Sequence, residues 1–196
     1  WVVASDYSDD LKIDKSIIKQ HSESYRKIRN TLRFLLGNAF DEFSPSAIEK
    51  FQFKDLEIID SFIVNKISEL DLLFEGYIEN NEFHKVYVEI LQFCTTDLSS
   101  FYFDIKKDCL YCDDVNSIKR QNCVKVLNLS LYFLIKWLHP ILAFTTEEVY
   151  QTLKSNEKNN DDEYDQSIFL VDFKNIKINK NKFDNKNWDY LKKIKN

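Results

Sequence analysis

The sequence predicts a mainly α protein, an antiparallel helical bundle, and three observations carry that reading. Apolar residues recur at spacings of three and four through four separate segments, which places them on one face of a helix in each. Only 2 Gly and 2 Pro occur in 196 residues, too few for a loop-rich barrel, a glycine-rich nucleotide fold or collagen-like material. The segments are divided at Gly37-Asn38, Pro45 and Pro140, where helices end or turn. A chain of 23.4 kDa can bury a real core, as one domain or as a main domain with appendages.

Residues 1–13 read as an extended connector, and Asp14 then offers a side-chain cap to the amides of the next turn. Ile17, His21, Tyr25, Ile28, Leu32 and Leu35 make the apolar face of the first helix, which is expected to stop near Gly37-Asn38. Past Pro45 a second helix is expected over about Asp55–Asn80, with Ile59, Ile63, Ile67, Leu70, Phe74 and Tyr77 inward. A third runs from about Asn81 to Lys107 through Phe83, Tyr87, Ile90, Cys94, Leu98, Phe101 and Ile105. The fourth spans about Val115–His139 on Val124, Leu127, Leu131, Leu134 and Leu138, and Pro140 turns the chain. Thr145-Thr-Glu-Glu148 matches a capping box for one more short helix. Four amphipathic helices sharing one core make an antiparallel bundle, expected over 14–153. Residues 154–196 change texture: 156–166 are polar and acidic, Ser167–Phe173 suits a short strand or docked peptide, 174–187 are Lys/Asn-rich, and Trp188–Ile194 opens another helix.

The net charge of -5 is unevenly spread. Residues 17–36 hold five Lys/Arg (Lys19, Arg26, Lys27, Arg29, Arg33) against one acid, whereas 41–89 hold four Lys against twelve Asp/Glu. A phosphate backbone would therefore approach the first helix and avoid the second. Arg26, Arg29 and Arg33 project from neighbouring points on one face, and their guanidinium forks suit phosphate oxygens or base edges. The same spacing also suits a plain solvated surface, or a basic face for acidic protein partners. Phe101-Tyr-Phe103 with Lys106-Lys107 places rings near cations, as single-stranded RNA recognition requires. Because Phe101 belongs to the core stripe, Tyr102 is the candidate for an exposed platform.

Catalytic signals are missing. Cys109-Leu-Tyr-Cys112 could be half of a zinc site or a redox pair, but no second close pair follows and no His lies near it in sequence. Asp9, Asp10, Glu147 and Glu148 have no partnered base, and His21 sits on a mainly apolar face. There is no nucleophile elbow, His-Glu-x-x-His, phosphate loop or deaminase signature. No apolar run long enough to span a bilayer and no secretory pattern occur, which predicts a soluble, cytoplasmic protein. A chain of 196 residues that begins at Trp1 and lacks Met is expected to be a fragment or a processed product.

Four ordered blocks resemble the isoleucyl-tRNA synthetases, which are class I aminoacyl-tRNA synthetases. They are Trp1-Val-Val-Ala-Ser-Asp-Tyr-Ser-Asp-Asp-Leu-Lys-Ile13, Ser24-Tyr-Arg-Lys-Ile-Arg-Asn-Thr-Leu-Arg-Phe-Leu-Leu-Gly-Asn38, Asp97-Leu-Ser-Ser-Phe-Tyr-Phe-Asp-Ile-Lys-Lys-Asp-Cys-Leu-Tyr-Cys-Asp113 and Trp137-Leu-His-Pro-Ile-Leu-Ala-Phe-Thr-Thr-Glu-Glu-Val-Tyr150. The valine and leucine enzymes share the architecture, but the first and third blocks look most like the isoleucine enzyme. The family often has Arg where this chain has Cys109 and Trp where it has Tyr150.

The resemblance implies that the bundle is the anticodon-binding domain and that 1–13 connect it to a catalytic domain, near the inner corner of the tRNA. It implies Arg29 as the leading anticodon contact, with Tyr25, Arg26, Asn30 and Arg33 beside it and Tyr102 on the facing surface; Lys106 and Lys107 stay candidates on the ring-and-cation pattern alone. It implies an enzyme that activates isoleucine with ATP and magnesium and transfers it to tRNA(Ile). Such an enzyme would be monomeric and would bind neither DNA nor membrane. The family's His-Ile-Gly-His and Lys-Met-Ser-Lys-Ser signatures and its editing domain are absent from these residues, so this segment is expected to contribute position and specificity, without a metal or cofactor of its own. The alternative is a helical protein-interaction bundle that binds no RNA.

Overall fold

A computed structural model describes residues 1–39, 56–156 and 166–173. The expected connection at Pro45, the polar run up to residue 165 and the segments from 174 onward lie outside the described residues.

Helix α1 (Lys15–Ala39) starts where the sequence places a cap. The Asp14 carboxylate accepts the Ile17 amide at 2.8 Å and the Ser16 hydroxyl at 2.7 Å, so a first-turn donor is satisfied. Ile28, Leu32 and Leu35 are buried. The described helix ends at Ala39, near the expected Gly37-Asn38, but not through a glycine turn: Gly37 stays helical, no glycine among the described residues takes a positive φ, and the Asn38 side-chain amide donates back to the Phe34 carbonyl at 2.8 Å. Residues 1–13 are also less extended than expected. Ala4 and Asp9 close turns onto Trp1 and Asp6, and the Trp1 indole donates to the Lys12 carbonyl at 3.3 Å.

Helix α2 (Ile58–Glu79) buries Ile63, Ile67, Leu70 and Phe74. It reverses through Asn81, whose φ of 58° lies in the left-handed region that Asn tolerates better than most residues. The third segment is one continuous helical run with a change of pitch. It consists of α3 (Phe83–Gln92), π-helical turns (Phe93–Phe103) and α4 (Asp104–Cys112). Within the π turns the Ser99 and Ser100 hydroxyls donate to the carbonyls of Cys94 and Thr95, five residues back.

Helix α5 (Ile118–Leu138) is capped by the Ser117 hydroxyl, which accepts the Arg120 amide at 3.2 Å. Every residue from Val126 to Ile135 is buried, so α5 is the central helix rather than a half-exposed one. After the expected turn at Pro140, α6 (Ala143–Asn156) begins earlier than a capping box would allow. Thr146 already donates its amide to the Leu142 carbonyl at 3.0 Å, and its hydroxyl to Leu142 and Ala143. Thr145 and Thr146 are therefore inside the first turn, not in front of it.

Cross-helix pairs fix the directions. Asp60 meets Tyr102 and Lys106 while Tyr77 meets Lys85, so α2 runs against the third segment. Leu110 meets Arg120 and Phe93 meets Trp137, so α5 runs against it too. His21 meets Tyr87, Thr31 meets Ser99 and Phe34 stacks on Phe103, so α1 runs with it. Successive long helices alternate in direction, as the apolar spacing predicts. Ser167–Phe173 is a docked peptide, not a strand: a short 3-10 turn (Ile168–Leu170) buries Ile168, and Phe173 stacks on His139 and meets Tyr132 edge-on.

Two expected RNA contacts are buried instead. Tyr102 is 0% exposed and its hydroxyl donates to Asp60 at 2.8 Å. Lys106 is 1% exposed and binds Asp60 at 2.8 Å and Glu57 at 2.6 Å. The reason is the π stretch: its i→i+5 closure adds residues to each turn and rotates the positions that follow. Burial lowers the proton affinity of Lys106, but the hydrogen bonds it donates to Asp60 and Glu57 outweigh it and leave its pKa raised. Burial holds the Asp60 carboxyl above its ordinary value although Lys106 and Tyr102 favour its charge.

Candidate nucleic-acid interface

On α1, Arg26, Arg29, Asn30 and Arg33 are exposed and Tyr25 is half-buried, because Ile28, Leu32 and Leu35 take the opposite stripe. The expected cluster is thus assembled on one surface. Its members differ in how they are held. Arg26 pairs with Glu23 one turn back on the same helix. Arg29 donates to Glu148 of α6 at 2.8 Å and to the Tyr25 hydroxyl at 3.3 Å. Tyr25 in turn shares a 3.0 Å hydrogen bond with Thr145. The hydrogen bonds to Glu148 and Tyr25 raise the Arg29 pKa, and those from Thr145 and Arg29 lower that of Tyr25. Arg33 has no acidic partner within 4.0 Å among the described residues. Lys107 is exposed and pairs with Asp104 at 3.1 Å, away from the α1 cluster in the sequence and on another helix.

Between α1 and α6 lies a groove of about 270 Å³. Leu32, Leu36 and Val149 give it an apolar side, whereas Arg29, Arg33, Glu148 and the two threonines Thr145 and Thr152 give it polar groups. Sequence alone does not reveal the α6 half of this surface. Its residues lie over a hundred positions from Arg29, and Thr145-Thr-Glu-Glu148 matches a local helix cap instead. Glu147, the neighbour of Glu148, faces the docked peptide and pins it, accepting the Ser167 hydroxyl at 2.9 Å and the Ile168 amide at 3.0 Å.

The other candidates do not assemble. Cys94, Cys109 and Cys123 are buried and Cys112 is exposed, and all four are free. Among the described residues no group of three or more His, Cys, Asp or Glu could hold a metal ion, and no helix is long and apolar enough to cross a membrane. Tyr150 is buried, which suits an aromatic packing position.

The fold and this surface define a helical module whose first helix shows clustered arginines to solvent. A family model described as the anticodon-binding domain of tRNA ligase matches residues 60–196, and the chain belongs to that family. Over 198 aligned residues it is 44% identical to the isoleucine–tRNA ligase of Pelagibacter ubique (strain HTCC1062), covering 100% of this chain and 21% of that protein. It is 43% identical to the Gluconobacter oxydans (strain 621H) ligase of the same name, covering 77% of this chain and 15% of the relative. With the Thermotoga maritima ligase it shares 40% over 81% of this chain and 17% of the relative. The chain therefore spans about a fifth or less of the length of these relatives.

Proposed function

We propose that this chain is the tRNA-binding portion of an isoleucine–tRNA ligase and that α1 faces the anticodon region of tRNA(Ile). The observation that carries the reading is the exposed cluster Arg26, Arg29, Asn30 and Arg33 on the first helix of a bundle from the anticodon-binding family. Exposed guanidinium groups at three- and four-residue spacing can pair with successive phosphates while leaving a fork for base edges. The net charge of -5 makes the attraction directional: RNA is drawn to one helix and repelled elsewhere. Residues 1–13 would join the bundle to a catalytic part in which ATP and magnesium drive formation of the aminoacyl adenylate. Residues 14–153 would hold the anticodon end, and 154–196 would lead onward. Holding the anticodon end helps to orient the distant acceptor end, an effect expressed in the transfer step. Such an enzyme would act in the cytoplasm, as a monomer, on tRNA rather than DNA or membrane.

Arg29→Ala tests the reading in the full-length protein. Binding to tRNA(Ile) should weaken about tenfold, and the slope of log affinity against log salt should fall by about one if Arg29 meets a phosphate. Unchanged binding across the salt series with unchanged aminoacylation would defeat the role given to Arg29.

A further inference from the structure

The α1–α6 groove has more chemistry than phosphate binding needs. Phosphate recognition calls for cations, yet Glu148 stands in the groove among Leu32, Leu36, Val149, Arg29 and Arg33. In the free protein that carboxylate is paired with Arg29; on a bound RNA it is unsuited to phosphate and suited to the donor groups of a base. Resting on the anticodon reading above, we propose that this groove receives one unstacked guanine of the bound RNA and that Glu148 reads its Watson–Crick edge.

The geometry supports each step. A groove of about 270 Å³ has room for a single base, with half-buried Leu36 on its apolar side and the buried Leu32 and Val149 beneath it, and splayed-out bases are what proteins read in single-stranded RNA loops. Glu148 is an acceptor with two oxygens and no donor when ionised. Guanine presents two adjacent donors on that edge, N1–H and the N2 amine. Uracil, cytosine and adenine each present one donor group there, so only guanine engages both carboxylate oxygens in parallel.

In the RNA-free protein Arg29 occupies Glu148 at 2.8 Å, with the two side chains 47% and 59% exposed. An exposed pair of this kind is weakly held. Arg29 can therefore turn toward a phosphate and give Glu148 to the base, with Tyr25 retaining its Thr145 partner. Arg33, on the same rim, supplies a second cation to the neighbouring phosphate. Other bases lose because a carboxylate covered by a base without matching donors is left desolvated and unpaired.

The test uses the full-length protein and tRNA(Ile) transcripts in which each guanine of the anticodon loop is replaced in turn by inosine, which lacks only the N2 amine. With the unaltered protein, one replacement should weaken binding about tenfold, the range expected for loss of a two-point base contact. With Glu148→Gln, which offers one acceptor and a donor in place of two acceptors, that discrimination should shrink to about twofold or less. Affinity for the inosine transcript should stay within about threefold, and melting of the variant checks that the exposed substitution leaves the fold intact. The proposal is overturned if no guanine is sensitive to inosine, or if Glu148→Gln keeps the full discrimination. Either result leaves the Arg29 salt experiment standing. Loss of all tRNA binding by the unaltered protein would instead overturn the anticodon reading itself.

Discussion

Lys106 holds a charge where a Lys is rarely found, 1% exposed between Asp60 and Glu57. A carboxylate and an ammonium taken out of water together repay their desolvation only through good geometry and further hydrogen bonds, and the Tyr102 hydroxyl supplies one of these at 2.8 Å. Removing one partner is more costly than removing both, because it strands a buried charge. Lys106→Met is expected to lower stability by about 3–5 kcal/mol, measured by urea unfolding. Adding Asp60→Asn to Lys106→Met should recover a large part of that loss, because the fully buried carboxylate is then gone while Glu57, 45% exposed, keeps its water. Equal losses for the single and the double variant would show that packing, not charge, dominates the site. If Lys106 contacted RNA, the salt slope of tRNA binding would fall by about one in this variant. Its burial predicts no change.

At the scale of single helices, the long periodic segments are legible in the sequence and the changes of pitch are not. The stripe Ile28, Leu32 and Leu35 and the cap at Asp14 obey local rules, and both occur where expected. A fixed 3.6-residue period misplaces Tyr102 and Lys106, because the ladder through Phe93–Phe103 is π-helical. Charge and spacing put Arg26, Arg29 and Arg33 on one exposed face, and only the family resemblance ranks Arg29 first among them. Glu148 stays hidden because tertiary contact, not sequence, brings it across 119 residues. Helix α5 also reads as one-faced but is covered all round from Val126 to Ile135, which leaves Asn128 fully buried. Neither end of its amide has a hydrogen-bond partner among the described residues. Each such unmet group costs about 1–3 kcal/mol. Asn128→Leu, close in size and apolar, is therefore expected to raise stability by about 1 kcal/mol or more, read as a higher urea midpoint. A lower midpoint would mean that a buried water satisfies the amide.

Across the whole molecule the buried ionisable groups set a direction for the pH dependence of stability. Burial pushes the thiols of Cys94 and Cys123 up to about 12 and that of Cys109 to about 11, from an ordinary value of 9.0. These three sit on the π turns, α4 and α5, so they report on the shared core rather than on one edge. Above pH 9 the unfolded chain has released protons that the folded chain keeps. Stability then falls as pH rises, by about 1.4 kcal/mol per unit for each thiol until its folded value is reached. Lys106 works in the same sense: its raised pKa stabilises the fold below about 10.5, and that contribution is lost as pH climbs through the folded value. On the acid side Glu57, lowered mainly by its hydrogen bond to Lys106, loses its contribution as pH falls through its folded value. The bundle should therefore weaken steeply between pH 9 and pH 12, followed by helical circular dichroism against urea at each pH, whereas on the acid side the raised carboxyl of Asp60 works against Glu57. Below pH 9 a thiol reagent should modify exposed Cys112 rapidly, and Cys94, Cys109 and Cys123 only as the protein unfolds. Four equally fast thiols would show that the core opens without unfolding, and the alkaline decline should then vanish too, because thiols in contact with water have no reason to hold their protons.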